Sequence, residues 1–184
     1  KWKMGKNNLI DLSNFINKIL EIYELSYIYN IPLKKIDFLI SKEAYIHSII
    51  HYKDNTLTIN AFNNDMIITL IKPLSFFYKI KPSPLKQNYL NVDNLIVEKP
   101  KDTRFTFFKY KNKLLKLSHS DQIKLMIINN SAHKLYLSDK LKYNDIIDYI
   151  IMNIPNNSKN IKFNNFESIL KFISLNNDYY QANV

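Results

Sequence analysis

Ala44–Tyr52 (AYIHSIIHY), Thr56–Phe62 (TLTINAF) and Met66–Leu70 (MIITL) are the runs on which the reading of this chain turns. Each is rich in β-branched and aromatic residues, which suit the pleated, half-buried surface of a strand. Asp54-Asn55 and Asn63-Asn64-Asp65 separate them, and Asn and Asp tolerate positive φ in tight turns. The three runs predict a three-strand meander that Pro73 closes.

On the N-terminal side, residues 11–29 predict a helix. Leu12, Phe15, Ile16, Ile19, Leu20 and Tyr23 share one face, Ser13 or Asp11 can cap it, and Pro32 stops it. On the C-terminal side, residues 75–101 form a proline-bearing connection with one short strand at 94–97. Residues 103–117 alternate, with Arg104, Thr106, Lys109 and Lys111 against Phe105, Phe107 and Tyr110, which predicts a basic hairpin. Residues 122–137 predict a second hairpin, turning at Asn129-Asn130-Ser131. Residues 138–154 predict a helix with Ser138 as cap and a stripe of Ile146, Ile147, Ile150, Ile151 and Ile154. A short strand at 160–163 follows, then a helix from Asn165 through Ser174, an Asn176-Asn177 stop, and a final strand or tail. The fold class is α+β: a mixed β-sheet with a three-strand meander, packed helices and an inserted basic β-hairpin region. Residues 1–184 read as a single domain, with 85–137 a candidate insertion or subdomain.

Composition limits the chemistry. At 184 residues the chain can bury about 70% of its unfolded surface. Its single glycine, Gly5, excludes the dinucleotide fingerprint, the phosphate-binding P-loop and the nucleophile elbow, each of which needs several glycines. With no cysteine, thiol catalysis and cysteine-ligated metal are excluded too. No apolar run is long enough to span a membrane, and the acidic residues after the basic start argue against a transit peptide. His47 and His51 fall in a β-rich run, where four residues span roughly 13 Å, so no metal site is expected there. Ser118-His119-Ser120-Asp121 reads as a turn, because adjacent side chains point apart and cannot form a catalytic relay. Asp145 and Asp148 read as a solvent face. No catalytic group, metal or other cofactor is expected, nor a small-molecule substrate or a membrane partner.

Charge supplies the positive signal. The net charge is +10, and between Lys72 and Lys116 eleven basic residues face three acidic ones. Aromatics run through the same stretch: Phe76, Phe77, Tyr78, Tyr89, Phe105, Phe107, Phe108 and Tyr110. Lysines neutralise phosphates and exposed rings stack on unpaired bases, so this segment is a candidate nucleic-acid surface, with Lys72, Arg104, Lys109, Lys111 and Lys113 in it. All but one of the basic residues are Lys, and Lys, Asn and Ile have A/T-rich codons. Codon drift is therefore the rival source of the charge, and a protein-interaction or scaffold module from an A/T-rich parasite or virus is the alternative reading.

Local motifs extend this. Ile46-His47 followed by Asp54-Asn55-Thr56-Leu57-Thr58-Ile59, then Ser75-Phe76-Phe77-Tyr78-Lys79-Ile80-Lys81-Pro82-Ser83-Pro84, then the helix–strand–helix order of 138–175, resembles the small-subunit ribosomal platform family numbered eleven in the bacterial set. The family's glycines are missing, and Asn164-Asn165 stands where its glycine loop falls, which implies an organellar member. The resemblance implies a non-catalytic structural protein of a mitochondrial small ribosomal subunit. Its partners would be ribosomal RNA and neighbouring ribosomal proteins, with Asn55, Thr56, Lys79, Lys81 and Ser83 as RNA contacts.

Overall fold

The computed structural model describes residues 10–11, 13–41, 43–62, 65–78, 96–100, 106–155 and 160–182. The chain is α+β and divides into two compact units, Lys1–Asp37 with Lys101–Val184, and Phe38–Pro100.

The first unit is helical. A short helical turn ahead of Phe15 is broken there, because Phe15 takes φ 65° in the left-handed region. A bulky residue is costly in that conformation. Ring packing offsets the cost: Phe15 lies 5.8 Å from Phe107 and 5.4 Å from Phe108 between centroids. Helix α1 (Ile16–Tyr29) then begins, with the Asn14 side chain accepting the Ile16 N–H at 3.0 Å. Asn30, at φ 52°, ends it by donating its N–H to the Ser26 carbonyl. Of the expected apolar stripe, Ile16, Ile19 and Tyr23 are buried, Phe15 and Leu20 are half-buried, and Leu12 lies outside the described residues; Ile22, which the stripe did not include, is buried as well.

Helix α2 of the chain order belongs to the second unit and is taken up below. In the first unit α3 (Phe107–Leu114) replaces the expected basic hairpin. Phe107 and Leu114 stand seven residues apart, two helical turns, and both are buried, while Lys109 and Asn112 face out. The Tyr23 hydroxyl donates to the Leu114 carbonyl and joins α1 to α3. Helix α4 (His119–Leu137) runs through the second expected hairpin without turning. Ser118 caps it, accepting the Asp121 N–H at 3.3 Å and donating to the Asp121 carboxylate at 2.7 Å. Its buried residues include Leu125, Ile128 and Ala132 but also Ser120, Gln122, Asn129, Ser131 and His133. Polar residues on buried faces erase the apolar period, which is why sequence spacing missed this helix.

Helix α5 (Ile146–Asn153) carries the expected isoleucine stripe, buried throughout, although Ser138 ends α4 instead of starting α5. Helix α6 (Phe166–Ala182) starts at the expected Asn165 cap, which accepts the Ser168 N–H at 2.9 Å. It passes straight through Asn176-Asn177, where Asn176 donates to the Phe172 carbonyl of its own helix at 2.8 Å. The expected strand at 160–163 is irregular, and 178–182 are helical. Helix α4 packs against both α5 and α6, and the Tyr180 hydroxyl donates to the Asn153 carbonyl at 3.2 Å.

The second unit holds the strands. Strand β1 (Ile40–Ser41) pairs antiparallel with β4 (Val97–Glu98), and β2 (Ile46–His51) with β3 (Leu57–Ala61). Asn55, at φ 67°, makes the β2–β3 turn. The expected third strand is instead helix α2 (Met66–Tyr78), started by Asp65, whose carboxylate accepts the Ile67 N–H at 2.9 Å. A short apolar run such as Met66–Leu70 fits a buried helix as well as a strand. Pro73 lies inside that helix instead of closing a sheet. Among the described residues there is thus no three-strand meander or single mixed sheet, only two antiparallel pairs.

Candidate functional site

Helix α1 buries one face and presents chemistry on another. Asn17, Lys18 and Glu21 stand one turn apart, where side chains at i, i+3 and i+4 meet. Lys18 Nζ donates to both Glu21 carboxylate oxygens, at 2.9 Å each, and Asn17 Nδ2 donates to Glu21 Oε1. The ion pair is partly open to solvent, with the Lys18 side chain 33% and that of Glu21 43% exposed. The cluster offers an ammonium for an anion, a carboxylate for a cation and an amide that can serve either. The sequence reading missed it; the signal was the spacing of Asn17, Lys18 and Glu21 away from the Ile16–Ile19–Tyr23 stripe.

The segment leading into α1 is tied to α4. Asp11 Oδ1 accepts from Asn129 Nδ2 at 2.8 Å. The same oxygen lies 2.9 Å from His133 Nε2, within ion-pair distance but off the line of a hydrogen bond. Asn129 and His133 are one turn apart on α4 and both are buried. Burial also pushes the Tyr23 phenol well above its ordinary value, and those of Tyr27, Tyr149 and Tyr180 in the same direction.

The residues expected to grip nucleic acid are divided between the two units and the segments outside the described residues. Lys79, Lys81, Ser83 and Arg104 lie outside the described residues. Asn55 and Thr56 sit in the β2–β3 turn, where the Thr56 hydroxyl and N–H donate to Asp54 at 2.7 and 2.9 Å. Those bonds hold the Asp54 carboxyl below its usual range. Lys72 is exposed on α2. Lys109, Lys111 and Lys113 share α3 in the other unit. There Lys109 lies 5.1 Å from the Tyr110 ring and Lys111 pairs with Asp37 at 2.6 Å. His47 stacks on Phe62 at 3.7 Å, and His119 packs between Tyr27 and Phe163 at 5.2 and 5.7 Å. Among the described residues no three His, Asp or Glu converge on a metal-sized site, and no helix is long and apolar enough to cross a membrane.

No protein-family model matches the chain. Curated relatives do. The chain is 29% identical over 190 residues to the 1-deoxy-D-xylulose 5-phosphate reductoisomerase of Pelagibacter ubique, a match covering 100% of this chain and 47% of that protein. It is 33% identical over 159 residues to the enzyme of the same name from Ehrlichia canis, covering 84% and 41%. For the apicoplastic enzyme of Plasmodium falciparum the figures are 28% over 180 residues, 94% and 36%. The chain thus spans less than half the length of these relatives.

The fold matches a crystal structure of DOX-P reductoisomerase in complex with NADPH, fosmidomycin and magnesium with a TM-score of 0.82. That match has 20% identity and covers 98% of this chain and 46% of the other. A Zymomonas mobilis reductoisomerase in complex with NADPH also matches, at a TM-score of 0.82, 19% identity, and 96% and 46% coverage.

These relationships overturn the ribosomal reading. The relatives are bacterial and apicoplast enzymes, so a non-catalytic mitochondrial ribosomal protein partnered by ribosomal RNA does not stand, and neither does the scaffold alternative. Of the local motifs behind that reading, the first is an ordinary hairpin, β2–β3, the expected third strand is α2, and Lys79–Ser83 lie outside the described residues.

Proposed function

We propose that this chain forms part of an enzyme that acts on 1-deoxy-D-xylulose 5-phosphate with NADPH and magnesium. The observation that carries the reading is the match to reductoisomerases across the whole length of this chain. The Asn17–Lys18–Glu21 cluster supports it by its chemistry. A sugar phosphate needs a cation for its phosphate, and magnesium takes carboxylate oxygens together with substrate oxygens. Lys18 can take the first role and Glu21 the second, with Asn17 as a neutral donor beside them. They neutralise each other in this structure; a ligand that brings both a phosphate and a cation separates the pair and engages each half.

Glu21 fits magnesium as one ligand of a set. The other oxygens come from the substrate or from residues beyond the described ones, since no acidic group of three converges here. The dinucleotide fits this chain poorly. It has one glycine, and its described strands form only two-stranded antiparallel pairs, without the parallel sheet and glycine turn that hold a pyrophosphate. We therefore assign NADPH binding to polypeptide outside this chain. When bound, NADPH supplies the hydride and magnesium polarises substrate oxygens. What this chain contributes is orientation: Lys18 anchors the phosphate end, and Glu21 faces the cation from the same helix.

The test uses the complete protein that contains this chain. With magnesium and 1-deoxy-D-xylulose 5-phosphate it should oxidise NADPH. Lys18→Met should raise KM, and Glu21→Gln should lower kcat/KM by about 100-fold or more, a loss of about 2.7 kcal/mol in transition-state stabilisation. An active protein indifferent to both changes would refute the site, and a wild-type protein that leaves NADPH untouched would refute the activity.

A further inference from the structure

Where α4 meets α5 and α6, the helical unit encloses a cavity of about 420 Å³. That is the liquid volume of roughly fourteen waters, and it lies at the small end of ligand pockets. Lys124 reaches the cavity from α4 and Asn153 from the last position of α5. Asn176 and Tyr180, one turn apart, reach it from α6.

The Lys124 ammonium is held in place but not used up. Its Nζ lies 3.4 Å from Asp121 Oδ1, longer than the roughly 2.7–2.9 Å of a strong charged hydrogen bond. It also lies 5.7 Å from the centre of the Phe172 ring. The Lys124 side chain is only 13% exposed, and an ammonium has three donors, of which Asp121 takes one. The amides supply the opposite chemistry. Asn153 Nδ2 donates to the Tyr149 carbonyl at 2.9 Å and Asn176 Nδ2 to the Phe172 carbonyl at 2.8 Å, each on its own helix. Both side-chain oxygens are left as acceptors without a partner among the described residues. One ammonium beside one carboxylate leaves this floor close to neutral, which suits a zwitterion better than a dianionic phosphate. The mouth is apolar. Met152 and Tyr179 stand there 83% and 64% exposed, and a thioether beside a phenol ring is a favourable seat for another aromatic ring.

We infer that this cavity binds a small aromatic zwitterion, with the chemistry of an aromatic α-amino acid. The ligand's carboxylate takes the spare donors of Lys124. Its ammonium donates to the side-chain oxygens of Asn153 and Asn176, and its ring lies between Met152 and Tyr179. No residue of this site belongs to the Asn17–Lys18–Glu21 cluster, and binding needs neither NADPH nor a sugar phosphate. The inference therefore stands or falls apart from the functional reading.

Titration calorimetry on the complete protein that contains this chain tests it, with L-phenylalanine as the probe. One molecule should bind per chain with a Kd below about 1 mM. 3-Phenylpropanoate, which lacks the ammonium, and phenethylamine, which lacks the carboxylate, should each bind about tenfold or more weaker. Lys124→Met should weaken L-phenylalanine by about tenfold or more, and Asn176→Leu should weaken L-phenylalanine but not 3-phenylpropanoate. Met152→Trp fills the mouth at an exposed position, so it should weaken binding without moving Tm, which separates lost binding from lost folding. Inorganic phosphate binding more tightly than L-phenylalanine at this site would overturn the ligand class. Failure of L-phenylalanine to bind, or binding indifferent to both Lys124→Met and Met152→Trp, would overturn the site.

Discussion

The tie between α4 and the segment before α1 can be broken one partner at a time, and the outcome is calculable. His133→Leu keeps roughly the side-chain volume but leaves Asp11 with Asn129 as its remaining described partner. The His133 side chain is 3% exposed and that of Asp11 15%, so solvent does little to replace the lost contact. Leaving a buried polar group short of a partner costs about 1–3 kcal/mol. For a chain of this size each kcal/mol lowers Tm by about 2–4 °C, so the expected drop is about 2–12 °C. Asp11→Leu should cost a similar amount, because it strands Asn129 as well. The double variant is decisive. Replacing both members of a buried polar pair with apolar residues is often near neutral, so Asp11→Leu with His133→Leu should cost less than the two single changes together. Thermal and urea unfolding of the four proteins gives the cycle. If the two losses add to within about 0.5 kcal/mol, Asp11 and His133 are not coupled, and the segment before α1 is held by something else.

Three further outcomes follow from the same core. Phe107→Ala should destabilise by about 3–5 kcal/mol in a urea titration, since the ring is 1% exposed, whereas Phe77→Ala in the lone chain should stay within about 0.5 kcal/mol. Ser118→Ala removes the α4 cap and should cost about 1 kcal/mol, read as a lower thermal midpoint without loss of helical circular dichroism at 20 °C. The Tyr23 phenol sets a pH dependence. Burial keeps it protonated in the folded chain, while the unfolded chain releases the proton near the ordinary value of 10.0. The folded state then binds more protons, so stability is intact below that pH and falls above it by up to about 1.4 kcal/mol per pH unit. Tyr23→Phe should make the decline between pH 10 and 11.5 shallower; an unchanged slope would show that the phenol is not shielded.

Much of the helical unit was legible in the sequence because its signals are local. The isoleucine stripe of α5, the Asn165 cap of α6 and, in α1, the Ile16–Ile19–Tyr23 part of the expected face survive in the structure. Helices α3 and α4 were not legible. Phe105, Phe107 and the lysines mimic alternation over a few residues, and α4 hides Asn129, Ser131 and His133 inside, so neither shows the period of a one-sided helix. The Met66–Leu70 run lacks any feature that separates strand from helix except Asp65, whose capping role appears only once the Ile67 amide is placed. The candidate site was overlooked for a different reason. The lysine-rich stretch after Lys72 drew attention by number, whereas the α1 cluster contains one lysine, one glutamate and one asparagine whose meaning lies in their angular position.

That angular position depends on Phe15. Glycine is the easy residue for a left-handed backbone, yet here the chain sets that twist on an aromatic side chain packed against Phe107 and Phe108. The rings act as a phase lock. If they let go, the preceding turn is free to run straight into α1, and each residue gained or lost at that join rotates everything beyond it by about 100° around the axis. The compass bearing of Lys18 and Glu21 is therefore written in a cluster of three phenylalanines at the foot of their helix.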